Sequence, residues 1–156
     1  MRSGNINFWA LTAALGGFLF GFDTAVISGA EQSIQFQWEL SDMMLGQMIA
    51  MALYGTIIGA VSGGLPAQKF GRKITLIWIA GIFLISAVGS ALAPDIWWLM
   101  FFRFIGGLSI GASSVVAPMY ISEISPAGKR GRLTALFQFN IVLGILIAYL
   151  SNFLIG

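Results

Sequence analysis

Two ionisable residues sit inside stretches that are otherwise uncharged. Asp23 interrupts an apolar run over residues 8–29, and Arg103 interrupts another over residues 96–121. A charge near the middle of a bilayer costs about 2.5–3.5 kcal/mol on insertion scales, so such residues are expected to meet each other or a polar pathway. At a rise of about 1.5 Å per residue, Asp23 falls ~9 Å from the C-terminal end of its run and Arg103 ~10 Å from the N-terminal end of its own. Those depths match if the two ends lie on one side of the membrane, so the pair can form. A carboxylate in that setting is a proton switch: burial raises its pKa, the neighbouring guanidinium lowers it, and moving the guanidinium away favours protonation. The plainer alternative is a static ion pair, or an arginine reaching outward to the headgroups. The amides of Gln47, Gln138 and Asn140 also fall in apolar runs. Amides at that depth suit a hydroxyl-rich solute, and they equally serve to hold helices together.

Other chemistry is excluded by composition. The chain has no Cys and no His, so it lacks a thiolate nucleophile, the commonest general base and the usual zinc ligands. No metal site and no cofactor is expected, and an enzyme is a poor reading because no carboxylate cluster is present either. Of the 156 residues, 58% are hydrophobic and 9% charged, too few charges to cover a water-soluble globule. The net charge of +2 is too small to argue for nucleic acid. The composition fits a chain whose solvent is the lipid bilayer.

The elements that must carry these residues are membrane-spanning helices. A crossing needs about 20 apolar residues, and five runs qualify: 8–29, 44–65, 74–93, 96–121 and 133–155. The first run follows Arg2 as a signal peptide would, but it is long, lacks a small-residue cleavage site and is followed by four more. The bases set the orientation. Arg2 precedes the first span; Lys69, Arg72 and Lys73 lie between the second and third; Lys129, Arg130 and Arg132 lie between the fourth and fifth. The opposite connections hold Glu31, Glu39, Asp42 and Asp95 and no base. The positive-inside rule therefore places the N-terminus in the cytoplasm. Trp38, Trp97 and Trp98 then mark the outer interface and Trp9 the inner one. Gly55, Gly59 and Gly63, and again Gly107 and Gly111, recur at spacing four, the pattern by which membrane helices approach closely.

These motifs resemble the N-terminal half of sugar porters of the major facilitator superfamily. GFLFGFDTAVISGA at Gly17–Ala30 resembles the first-helix signature, and GGLPAQKFGRK at Gly63–Lys73 the loop motif between the second and third helices. RFIGGLSIGASSVVAPMYISEISPAGKRGRL at Arg103–Leu133 resembles the fourth-helix signature, and QFNIVLGILIAYLSN at Gln138–Asn152 the fifth helix. The resemblance implies an all-α membrane protein of that fold, with five of twelve helices present and the substrate site between two halves. It implies that Asp23 is the proton-binding carboxylate and Arg103 its partner. It implies that Phe20 and Gln138 contact the sugar, with Ile141 and Ile145 on the same stripe. It implies that Arg72, Glu123 and Arg130 form a cytoplasmic charge network closing the inner gate. Without the resemblance, those three charges read equally well as solvated loop residues.

Two positions depart from the pattern. Gln68 stands where the superfamily loop motif usually has Asp, and Ile145 where many proton-coupled members have Gln and facilitators often have Ile. Asp23 thus points to symport and Ile145 to facilitation. The expectation is part of a monosaccharide:proton symporter of the cell membrane working by alternating access, with a small sugar, a proton and the missing C-terminal half as partners. A facilitative uniporter of the same fold is the alternative. A small non-transporting membrane scaffold, or a truncated fragment without function, is the alternative from another class.

Overall fold

Backbone amides in hydrocarbon have no water to bond, so a chain of this composition must satisfy them within helices or a closed barrel. The computed structural model describes residues 6–155 and shows the helical solution: α1 (Ile6–Gln37), α2 (Asp42–Ser62), α3 (Gly64–Phe70), α4 (Arg72–Ala91), α5 (Ile96–Ile124) and α6 (Arg130–Ile155). Among the described residues there is no strand. All but α3 are long and apolar enough to cross a membrane. Arg2 lies outside the described residues.

Helix ends follow turn chemistry and not the limits of the apolar runs. The run expected to stop at 29 continues as helix to Gln37, through Glu31, Gln32, Ser33 and Gln35. No Gly or Pro interrupts those residues, and the chain turns only at Glu39, whose φ is 48°. Ser41 then caps α2, its hydroxyl accepting the Met44 amide at 3.3 Å. The second run breaks at Ser62, and its tail becomes the separate helix α3. Gly71 joins α3 to α4 at φ 88°, a conformation that costs a residue with a Cβ. Between α4 and α5, Asp95 caps the start of α5 and a side chain of α5 closes the end of α4. The Asp95 carboxylate accepts the Trp98 amide at 2.8 Å, and the Trp98 indole N–H donates to the Gly89 carbonyl at 3.2 Å.

The described helices group into two units. The first holds α1 up to Gly29, α5 from Ser114, and α6. Its seam is built on small residues. A Cβ placed on Gly17 would strike the Phe137 carbonyl, one on Gly21 the Ile141 carbonyl, and one on Gly144 the Phe18 carbonyl. Ala10, Ala14 and Ala148 are fully buried. Paired positions rise together along both helices, so α1 and α6 run parallel.

The second unit, Ala30–Ser113, repeats the device. Gly55 meets the Phe104 carbonyl, Gly59 that of Leu108, and Gly63 the Ala112 backbone, while Gly107 and Gly111 meet the carbonyls of Ala52 and Thr56. Here α2 and α5 run parallel. The α4 helix packs on α5 the other way: Ser86 donates to the Phe102 carbonyl at 2.5 Å, and a Cβ on Gly89 would strike the Phe102 ring. Parallel α1–α6, parallel α2–α5 and antiparallel α4–α5 is the set of directions that five successive crossings require. Ile77, Trp78, Leu84, Ile85 and Val88 of α4 are exposed, a face suited to lipid and not to water.

A test follows from the contrast between glycines. Gly81 has open space around it, whereas Gly107 faces the Ala52 backbone. In the full-length protein in detergent, Gly107→Ala is expected to lower stability by about 1–3 kcal/mol through overpacking, and Gly81→Ala to leave it unchanged or slightly raised. The denaturation midpoints check this.

Candidate functional site

The residues expected to meet a solute converge on the first unit. The contact of Gly21 with Ile141 fixes the register of α1 against α6. It sets Phe20 within one residue of the level of Ile141 on the neighbouring helix. At about 100° of rotation per residue, Gln138, Ile141 and Ile145 share a stripe of α6 roughly 60° wide. Gln138 is exposed, and Phe20, Ile141 and Ile145 are half-buried. A ring, an amide and two aliphatic chains are thus grouped along one seam. Such a surface can offer apolar contact to the face of a small polar solute and a donor and acceptor to its edge.

Asp23 lies two residues past Gly21, half-buried, on the same helix. Arg103 belongs to the second unit, on α5, and is buried with 9% exposure. Both take part in polar or electrostatic interactions, as ionisable groups in apolar helices must.

The residues expected at an inner gate are distributed over both units. Arg72, in the second, is half-buried at the start of α4, and its Nη1 donates to the Ala67 carbonyl at 3.1 Å. It thereby caps α3 and stiffens the turn through Gly71. Lys69 stands over the Phe70 ring at 5.4 Å. Glu123 and Arg130, in the first unit, are exposed at the facing ends of α5 and α6. Among the described residues, no group of three or more Asp, Glu, His or Cys side chains is placed to hold a metal.

One residue with an evident structural role is not marked out by sequence reasoning. Asn152 of α6 donates from Nδ2 to the carbonyls of Ala25, at 3.3 Å, and Val26, at 3.5 Å. The signal is present as an amide inside an apolar run. Its partner cannot be read, because it is backbone on a helix more than a hundred residues away. Interhelical hydrogen bonds of this kind average about 0.6 kcal/mol and reach about 1.7, so this one acts as a latch that can open.

Five helices long and apolar enough to cross a membrane, packed through glycine seams and carrying a carboxylate and an arginine within apolar stretches, mark a polytopic membrane protein. Comparison with known proteins makes the class specific. The family described as "Sugar (and other) transporter" matches residues 9–156. A glucose transport protein of Synechocystis is 49% identical over 144 residues, covering 92% of this chain and 31% of that protein. A D-xylose transporter of Levilactobacillus brevis is 42% identical over 153 residues, covering 98% of this chain and 34% of its own length. The major facilitator superfamily proton:xylose symporter XylE, solved with 6-bromo-6-deoxy-D-glucose bound, superposes with a TM-score of 0.90 at 38% identity, over 99% of this chain and 38% of that one. The chain therefore belongs to the sugar transporter family of the major facilitator superfamily, a family of membrane transporters and not of enzymes. It spans about a third of the length of the curated relatives it matches.

The register of the α1–α6 seam can be trapped covalently. A Cβ on Gly29 would lie 2.7 Å from the Asn152 Cβ, so a shift of about 1 Å brings a cysteine pair to disulfide geometry. The chain itself supplies no competing cysteine. In a cysteine-free full-length background, Gly29→Cys with Asn152→Cys is expected to cross-link on mild oxidation. Gly29→Cys with Phe139→Cys, on an exposed position nearer the other end of α6, is expected not to. Retention of the two halves as one band after cleavage between α1 and α6 reads the bond.

Proposed function

We propose that this chain is the N-terminal part of a twelve-helix secondary transporter that moves a monosaccharide together with a proton by alternating access. The observation that carries the reading is the first unit's grouping: one seam of parallel apolar helices bears a half-buried carboxylate, a ring and an amide. Relatives named as a D-xylose-proton symporter of Escherichia coli and an arabinose-proton symporter of Bacillus subtilis, at 38% and 41% identity, favour proton coupling. In this reading Asp23 takes up the proton, and Arg103 is the cation whose departure permits it. Phe20, Gln138, Ile141 and Ile145 line this half's share of a sugar site completed by the other half. Arg72, Glu123 and Arg130 hold the inner gate closed, with Arg72 rigidified through its bond to Ala67. The bases gathered in the α3–α4 and α5–α6 connections put those connections in the cytoplasm of a cell or inner membrane.

Ile145 favours a second reading, a facilitator of the same fold. The two readings separate on energetics. In proteoliposomes of the complete carrier, sugar addition is expected to alkalinise a weakly buffered medium, and Asp23→Asn is expected to abolish uphill accumulation while sugar exchange persists. No alkalinisation and no uphill accumulation by the unsubstituted carrier would assign the facilitator reading instead, whereas undiminished accumulation by Asp23→Asn would rule out the role given to Asp23.

A further inference from the structure

Asp23 sits on a turn of α1 fixed at both ends. Before it, Gly21 rests on the backbone of Ile141 with no side chain between. After it, Ala25 and Val26 are held through their carbonyls by the Asn152 amide, and Gly29 lies against the same side chain. Carbonyls within a helix already accept their own helical bonds. A second donor at Ala25 and Val26 therefore does not satisfy an orphan group. What it fixes is where this turn stands relative to α6, and the carboxylate lies between the two fixed points.

We propose that Asn152 is a positioning residue for proton coupling: its latch on Ala25 and Val26 holds the Asp23 turn so that reorientation waits on protonation. The inference rests on the symport reading of Asp23. With the latch gone, the turn gains freedom about the α1 axis, and a carrier that has not taken its proton can reorient. Sugar still crosses, but the proton gradient no longer drives it efficiently. A bond of this modest strength suits the task, because the turn must be released in every cycle.

Two variants remove the latch from opposite sides. Asn152→Leu keeps the size of the side chain and deletes the donor. Gly29→Ala leaves Asn152 unchanged and displaces its amide, since the added methyl would occupy the amide's position. In proteoliposomes of the complete carrier, each is expected to lower the steady-state accumulation ratio about three- to eighteen-fold, the range set by such a bond, while sugar counterflow stays within about twofold. Counterflow falling in step with accumulation, or accumulation unchanged in Asn152→Leu, would overturn the assignment. Asp23→Asn is measured alongside. If it retains accumulation, Asp23 is not the coupling carboxylate and this inference falls with that role. If it loses accumulation while Asn152→Leu keeps it, only the role of Asn152 falls.

Discussion

Direct contact between helix backbones, made where a glycine leaves room for it, is the interaction on which this structure depends. In lipid the apolar side chains gain nothing by leaving the solvent for one another, so close packing and interhelical hydrogen bonds must hold helices together. Gly21 against Ile141 and Gly107 against Ala52 are such contacts, each admitting the carbonyl of a neighbouring helix to a place a Cβ would fill. Parallel seams have a cost, because the dipoles of two parallel helices lie side by side with like ends together. Contact at close range over several turns offsets it. The two seams also correspond. One joins the first span to the fifth and the other the fourth to the second, so exchanging first with fourth and second with fifth turns either seam into the other. That exchange is the one expected of inverted repeats.

The side chains proposed to meet solute and proton take their positions from the contact of α1 with α6. Phe20 and Asp23 flank Gly21, and Gln138 and Ile145 flank Ile141. The point at which α1 and α6 touch is therefore the point from which Phe20, Asp23, Gln138 and Ile145 are measured. Long side chains on loosely packed helices would leave the same groups several ångströms uncertain.

Much of this architecture is legible in the amino-acid sequence. The five apolar runs, the sorting of the bases and the spacing-four glycines carry the number of spans and their close packing, because the bilayer penalises every exception. The two intramembrane charges stand out for the same reason. Helix limits are legible only in part. Apolarity marks where lipid ends, and α1 continues past that point to Gln37 because polar residues are free to remain helical in water. The α3 helix merges with the second span in an apolar profile, since Leu65 and Ala67 extend the run and only Gly63 and Gly71 reveal the breaks. Least legible are bonds to backbone. Trp98 reads as an interface marker and is also the cap of α4, and Asn152 reads as one polar residue among apolar ones. Every residue offers a carbonyl, so sequence cannot say which one an amide will find.

The cap that Trp98 of α5 places on α4 bears on the order in which the chain assembles. Trp98 and Gly89 are 9 residues apart, whereas Asn152 and Ala25 are separated by 127. A contact that closes a short loop forms sooner than one that closes a long loop. During synthesis the α4–α5 hairpin has all it needs as soon as α5 has entered the bilayer. The α1 helix, made before α6, must wait in lipid for it before its glycine face is covered. Among these helices assembly thus runs from the α4–α5 hairpin outward, and the turn bearing Asp23 is set in place only once α6 has arrived.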